Sequence, residues 1–273
     1  MLVTAWKQEL ADPLLLLHIQ GQESDLATKP APTTTSEDDW PHVERRYPKI
    51  NDPDYLGSKG LSEALRKVIE TELAGKNDLD ILDVGCGHKP FYPFFKSIAK
   101  SYVGTDIIAG AKVDRVCPSE ALAVDDQSAD VVVCLSVLEH VNDPNQSVKE
   151  LHRVVRDDGV VFVSTHGCFP YHPHPQDHWR WTQTGLPILF KGAGFRDVRL
   201  FATRGTMSGI FYLLSHYVFL WSTRGWFWRQ YVKRPLTAVL NTIGEFVDAK
   251  TPILRDLDQR VTAIPEFFVI ARK

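Results

Sequence analysis

The alternation of apolar and polar positions divides this chain into a regular middle and two irregular flanks. Leu61, Leu65, Val68, Ile69 and Leu73 recur at helical spacing and end near Gly75, which predicts a helix starting near Ser58. Short apolar runs bounded by turn formers then predict strands at 79–84, 101–106, 130–135, 160–164, 198–202 and 267–271, with a weaker one at 111–116. Helices are expected between them at 91–99, 144–156 and 185–194. Val148, Leu151, Val154 and Val155 make the apolar face of the second, and Asp157-Asp158-Gly159 closes it. Strands that alternate with helices predict an α/β fold, a doubly wound and mostly parallel sheet covered on both faces.

The first strand carries the most informative residues. Ile81-Leu82-Asp83-Val84 runs into Gly85-Cys86-Gly87, and the second strand ends in Thr105-Asp106. Two glycines after a strand let backbone approach a ligand closely. An acid at the tip of the neighbouring strand suits the hydroxyls of a ribose. His88-Lys89-Pro90 stands where a pyrophosphate loop would place its third glycine, so a ligand with a ribose but no diphosphate fits better.

Leu82 to Gly87, Asp106 and the run Ser128 to Val141 resemble the class I S-adenosylmethionine-dependent methyltransferases, the small-molecule "type 11"-like members among them. The resemblance covers roughly residues 60–200 and the last strand. It implies a Rossmann-like, seven-stranded sheet whose last strand is antiparallel and lies between strands five and six. It implies S-adenosylmethionine as cofactor. Asp83, Gly85, Cys86 and Gly87 would face its amino-acid part, Asp106 and Ile107 its ribose side, and Glu120 and Ala121 its adenine. Leu135 and Glu139 would line it after strand four. Many relatives carry an acid two residues before the position of Glu120, where this chain has Pro118, so the adenine contact falls to backbone groups.

Acceptor chemistry is sought after strands four and five. His140 ends Leu135-Ser136-Val137-Leu138-Glu139-His140, and the loop Tyr171 to Thr182 holds His172, His174, Asp177, His178 and Arg180 within nine residues. Loops on a rigid scaffold concentrate binding groups, and a histidine suits proton removal from a hydroxyl. His140, His174 and His178 are the candidate bases, with Asp177 as orienter or alternative base. His172, Trp179 and Arg180 are candidates for the acceptor. For His140 a structural hydrogen bond at a helix start weighs equally. The histidine spacing matches no usual zinc pattern, so no metal is expected.

The flanks differ in character. Residues 1–57 form a peripheral tail and arm, with a short docking helix at Leu14–Ile19, a Pro/Thr-rich and then acidic linker at 29–39, and an aromatic, proline-containing arm at 40–55. The core is expected at 58–204, a helical insertion at 205–262, and the closing strand at 263–273. Ser208 to Trp228 is unusually aromatic, interrupted by His216, Arg224 and Gly225, and followed by Arg229, Lys233 and Arg234. Three readings stay open for 208–234: a lid, a peripheral contact at the membrane interface, and a span.

Composition narrows the partners. The net charge of −3 gives no pull toward nucleic acid, and Leu135-Ser136-Val137-Leu138 stands where base methyltransferases carry an Asn/Asp-Pro-Pro-aromatic motif. Cys86, Cys117, Cys134 and Cys168 show no paired spacing, which fits reduced thiols in a cytoplasmic protein. A basic leader region is not expected. The chain reads as an enzyme methylating a small molecule, a glycan or a lipid-linked acceptor, most simply on oxygen. N- or C-methylation, or cofactor binding without catalysis, stand as alternatives. Oligomeric state is left open.

Overall fold

The computed structural model describes residues 40–173, 175–221, 225–248, 255–256 and 265–273. The expected docking helix at Leu14–Ile19 and the linker at 29–39 lie outside these residues. The sheet is built from β1 (Leu79–Val84), β2 (Ala99–Asp106), β3 (Arg115–Val116), β4 (Ala129–Leu135), β5 (Val155–His166), β6 (Asp197–Ala202), β7 (Arg255–Asp256) and β8 (Glu266–Arg272). Its order is β3-β2-β1-β4-β5-β8-β6-β7. The first five strands pair in parallel, and β8 runs antiparallel to β5 and β6, between them, as the resemblance implied.

Period-two alternation feeds two cores. Leu82, Val84, Val132, Cys134, Val161 and Val269 face one side of the sheet. Ile81, Val131, Val133, Phe162, Phe268 and Ile270 face the other. Helix α1 (Tyr55–Glu72) covers the second face with Leu61, Leu65 and Val68. Helices α2 (Pro144–Val154) and α3 (Gly185–Gly192) cover the first with Val148, Leu151, Leu186 and Phe190. Asp143 caps α2 by accepting from Gln146 N–H at 3.1 Å, and Pro144 takes the first turn, where no donor is needed. Because both faces are covered, ligands are left only the strand ends.

Several elements depart from the sequence expectations. The helix expected at 91–99 is one turn, Tyr92–Phe95, because that turn already buries Phe91, Phe94 and Phe95 before Ala99 enters β2. The third strand is two residues long. Asp114 takes over part of its bonding, accepting from Gly104 N–H at 2.6 Å and from Lys89 Nζ at 2.5 Å. Asp157-Asp158-Gly159 does not close a helix. Helix α2 stops at Val154, and the three residues bulge within β5, where pairing shifts from Ala129–Val155 to Val131–Val160. An eighth strand, β7, lies inside the stretch expected to be helical and pairs with β6.

The arm is tied to the core. Trp40 Nε1 donates to Lys89 O at 2.8 Å. The Arg46 guanidinium, buried, donates to Trp40 O at 3.0 Å and to Pro90 O at 2.5 Å. The insertion folds as α4 (Thr206–Leu220), a turn at Trp226–Trp228, a π-helical stretch at Arg229–Lys233 and α5 (Arg234–Asp248). Asn241 ties α5 to the arm by donating to Ile50 O and Asp52 O, both at 2.8 Å, and accepts from Ser215 on α4 at 2.9 Å. Arg204 reaches Glu245 at 3.1 Å.

Gly57 sets how closely α4 approaches α1. A Cβ there would lie 2.5 Å from the Tyr212 ring, which is buried. Gly57→Ala is expected to destabilise the protein by about 1–3 kcal/mol through overpacking. Urea denaturation of the two proteins checks this, and equal midpoints would contradict the tight contact.

Candidate active site

Three hollows meet at the carboxyl edge of the sheet, where strand order reverses between β1 and β4. A small one of 140 Å³ is walled by Asp83, Gly85, Cys86, Gly87 and Leu135, with His42 and Arg45 of the arm. A second, of 390 Å³, runs along Asp106, Ile107, Ile108, Ser119, Glu120 and Val137. The two share Gly85. The third, of 760 Å³, lies under the insertion and shares Ser136 and His140 with the second.

Close approach shapes the glycine loop. Gly85 has φ +68°, and a Cβ on it would fall 2.3 Å from Val137 Cγ2. Gly87, at φ +48°, has nothing within 4 Å of where a Cβ would stand, so its face is open to a ligand. Asp106 binds the loop in place: Oδ2 accepts from Gly87 N–H and Oδ1 from Ile108 N–H, each at 2.9 Å. A carboxylate offers about four lone-pair sites, so both oxygens keep capacity for a diol.

Asp83 is buried at the end of β1 and accepts from the Tyr102 hydroxyl at 2.8 Å. Burial pushes its carboxyl up to about 7, against the lowering effect of the Tyr102 bond. Cys86 is buried, and its thiol is pushed up to about 12 by burial and by Asp83. It is therefore a packing residue of the wall rather than a nucleophile.

Other expected cofactor residues are placed less simply. Ile107 is exposed on the cleft wall. Glu120 also lines the cleft, but its carboxylate is engaged. Oε1 accepts from Asn142 N–H at 3.0 Å and Oε2 from Ser119 at 3.1 Å. Ala121 is absent from that wall. Glu139 lines none of the three hollows; its side chain is fully buried beneath the third. Thr165 donates to its Oε2 at 2.8 Å, and His166 Nε2 stands 3.4 Å from its Oε1. Burial pushes the Glu139 carboxyl up to about 7, and burial pushes His166 down to about 3.

The histidine-rich loop folds back over this floor. His140 lines both the cleft and the large cavity, and its Nδ1–H donates to the Gln176 carbonyl. That bond fixes the tautomer and leaves Nε2 as the ring's acceptor nitrogen. The His172 ring lies 5.1 Å from that of His140 and 4.8 Å from that of His166. Asp177 accepts from His172 N–H at 2.9 Å and is gripped by Arg180 through two bonds of 2.5 Å. Burial works against ionisation of Asp177, but the Arg180 bonds outweigh it and hold the carboxyl down at about 2. Arg180 also donates to Phe169 O at 3.0 Å and Pro170 O at 2.9 Å. Asp177 and Arg180 thus clamp the loop.

Trp179 donates to Val141 O at 2.8 Å and packs on Trp181. His178 is exposed and bonds Gln176 Oε1 at 2.8 Å, and neither residue lines the three hollows. His174 lies outside the described residues. Sequence reasoning expected an arm at 40–55 but missed His42 and Arg45 on it, because nothing local marks which arm residues reach the sheet edge. It missed His166 too, although the end of β5 lies at the same edge as the ends of β1 and β4.

With this geometry in hand, comparison with known proteins decides the family. Residues 58–198, more than half of the chain, match the family model described as a methyltransferase domain. The chain belongs to that family. Its cofactor is S-adenosylmethionine, and the glycine loop, the open face at Gly87 and Asp106 fit that group. Curated relatives include the ubiquinone biosynthesis O-methyltransferases of Pseudomonas paraeruginosa, 35% identical, and Bordetella avium, 34% identical. The match covers 34% of this chain in each case, and 45% and 46% of those proteins. The chain therefore spans less than half the length of the curated relatives it matches. Among solved structures, phosphoethanolamine N-methyltransferase 2 of Haemonchus contortus has a TM-score of 0.51 at 14% identity, over 90% of this chain and 62% of that one. That likeness shows the fold alone.

The raised carboxyl of Asp83 has a consequence for stability. Its folded value lies above the ordinary carboxylate value of about 4, so the folded state holds a proton that the unfolded chain releases between about pH 4 and 7. Its contribution is therefore present in full below about pH 4 and is lost as pH rises through 7. Relative to Asp83→Asn, wild type is expected to lose a few kcal/mol across that window. Parallel stability curves from pH 4.5 to 8 would show that Asp83 does not hold the proton.

Proposed function

We propose that this protein transfers the S-adenosylmethionine methyl group to a hydroxyl of a small-molecule, glycan or lipid-linked acceptor. The observation that carries this reading is the sharing of Ser136 and His140 between the cofactor cleft and the large cavity. A methyl donor in the first and an acceptor in the second would meet at that junction. The cofactor supplies an already activated methyl group. The chain's own residues must then align the acceptor, exclude water and activate its oxygen. Alignment alone is worth on the order of 7–11 kcal/mol in favourable cases.

The roles follow from position. Gly85 and Gly87 admit the cofactor, Asp106 takes its ribose hydroxyls, and Arg45 offers a guanidinium to its carboxylate in the small hollow. His140 is the residue through which the acceptor oxygen is activated. Asp177 and Arg180 position His172 instead of touching the acceptor. Oxygen is favoured as the methylated atom by the density of histidines around the cavity, since a hydroxyl must lose a proton. The name of the curated relatives agrees with that preference.

The insertion adds a peripheral membrane contact to this reading. In α4 the buried residues are Ser208, Gly209, Tyr212 and Ser215, while Met207, Ile210, Leu214, Tyr217 and Leu220 are exposed. In α5, Thr237, Asn241 and Gly244 are buried, while Leu236, Val239, Ile243 and Phe246 are exposed. Both helices are thus polar inside and apolar outside, the reverse of a soluble lid. Trp226 is 72% exposed and Phe246 81%, and Arg229 and Arg234 stand nearby in the chain, a mixture that suits a bilayer interface. Tyr212, His216 and Arg229 also line the acceptor cavity, so the lid links a lipid surface to the reaction site. No helix among the described residues is long and apolar enough to cross a membrane. The protein would be cytoplasmic and dock from one side.

Calorimetric titration with S-adenosylmethionine tests the foundation: Asp106→Ala is expected to abolish binding that wild type shows. His140→Ala should retain that binding and lower methyl-label transfer into a lipid extract or metabolite pool by about 100-fold. Unchanged transfer removes His140 from the reading. Vesicles of anionic phospholipid should sediment wild type and retain roughly tenfold less of a Trp226→Ser/Phe246→Ser variant. Equal retention of both would leave the insertion as a lid only.

A further inference from the structure

The floor of the acceptor cavity collects more ligand chemistry than proton transfer needs. Glu139, His140 and His172 each bring one ligand atom within 4.8 Å of the others. Glu139 is fully buried, and its Oε1 has no hydrogen-bond partner. A buried carboxylate oxygen left without a donor is costly, and such orphans call for a missing partner. His140 Nε2 stands 3.9 Å from that oxygen.

The surroundings also hold these side chains from behind. His140 gives its Nδ1–H to the Gln176 carbonyl. The Nδ1 of His172 lies 3.5 Å from the Asp177 carboxylate, which Arg180 clamps. The second oxygen of Glu139 accepts from Thr165. Outer hydrogen bonds like those on His140 and Glu139 are what metal centres use to fix tautomer and direction.

We propose that Glu139, His140 and His172 form a binding site for one divalent transition-metal ion, zinc or a neighbour of similar preference. Two imidazoles and one carboxylate suit such an ion, whereas magnesium and calcium favour all-oxygen sets. Ligands about 2.0–2.2 Å from a tetrahedral ion stand roughly 3.3 Å apart, so side-chain rotations of about an ångström would complete the site. Three protein ligands leave a position open, and the two histidines face the cavity. A cation there would take the acceptor hydroxyl into its open position and lower its pKa, so that the proton leaves to solvent, with His140 acting as a ligand of the ion and not as the base. The ligands come from two chain segments, after β4 and after β5, which is why no local zinc spacing reveals them.

The inference rests on reading this cavity as the acceptor site, but its test does not require turnover. The full chain, stripped with chelator, is titrated with Zn²⁺ by calorimetry and with Co²⁺ by visible absorption, beside a titration with S-adenosylmethionine. One equivalent of ion is expected in wild type, with His172→Ala and Glu139→Gln each weakening it by at least about 100-fold. Retained S-adenosylmethionine binding in the variants certifies their fold, and Glu139→Gln keeps the buried shape if His172→Ala fails to fold. A wild type that binds the cofactor but no ion overturns the site and leaves methyl transfer standing. Ion binding unchanged in both variants also overturns it. Ion binding without cofactor binding would support the site while removing the methyl-transfer reading.

Discussion

The site depends on one close approach, that of Gly85 to Val137. Strands β1 and β4 are parallel neighbours, and the chain leaves both at the same edge. The turn after β1 passes so near the turn after β4 that a single added Cβ would stand 2.3 Å from Val137 Cγ2. Ser136, next to Val137 in this turn, lies in the left-handed region at φ 56°, unusual for a residue with a side chain. Its N–H is tied to Ser164 O on β5 at 3.0 Å. The next turn of chain then carries His140 to the junction of cleft and cavity. A looser approach at Gly85 would separate the cleft along Asp106 from the large cavity, which meet at Ser136 and His140.

Much of the buried polar chemistry lies at the same edge, after β4, at the end of β5 and at the start of β8. Glu139, Thr165, His166 and Glu266 are all buried beside one another at the strand ends, and burial pushes the Glu266 carboxyl up to about 8. Such groups are expensive in a core, and a fold built for stability alone would place apolar side chains there. Their presence at the one edge where helices do not cover the sheet marks that edge as functional. The two cores on the sheet faces, by contrast, are built from apolar side chains such as Leu82, Val132, Val161 and Phe162.

Much of the fold was legible in the sequence because it rests on local signals. Leu79–Val84 and Ala129–Leu135 are apolar runs bounded by turn formers, and the strand bounds follow them closely. The glycine loop and Asp106 were legible for the same reason. What sequence did not reveal depends on contacts between distant residues. The stretch 91–99 shortened to one turn because three phenylalanines found burial early. Asp177 and Arg180 have the types of catalytic and binding groups, and only their mutual grip turns them into a loop clamp. Arg45 reaches the cleft from the expected arm, but nothing in the arm's sequence marks which residue does so.

The insertion shows the limit of composition as a guide. Its aromatic-rich sequence leaves a lid, a contact at the membrane interface and a span all open. The structure places an apolar face outward, while the inner face lines a polar cavity with Tyr212 and His216 and bonds to the arm through Asn241. Once the polar stripe is committed inward, the apolar stripe has nowhere to go but the surface. Composition therefore marks that the segment is apolar. It does not fix which face the domain keeps. That choice is made by the polar cavity, so the outward apolar face and the inward polar one are two sides of the same requirement.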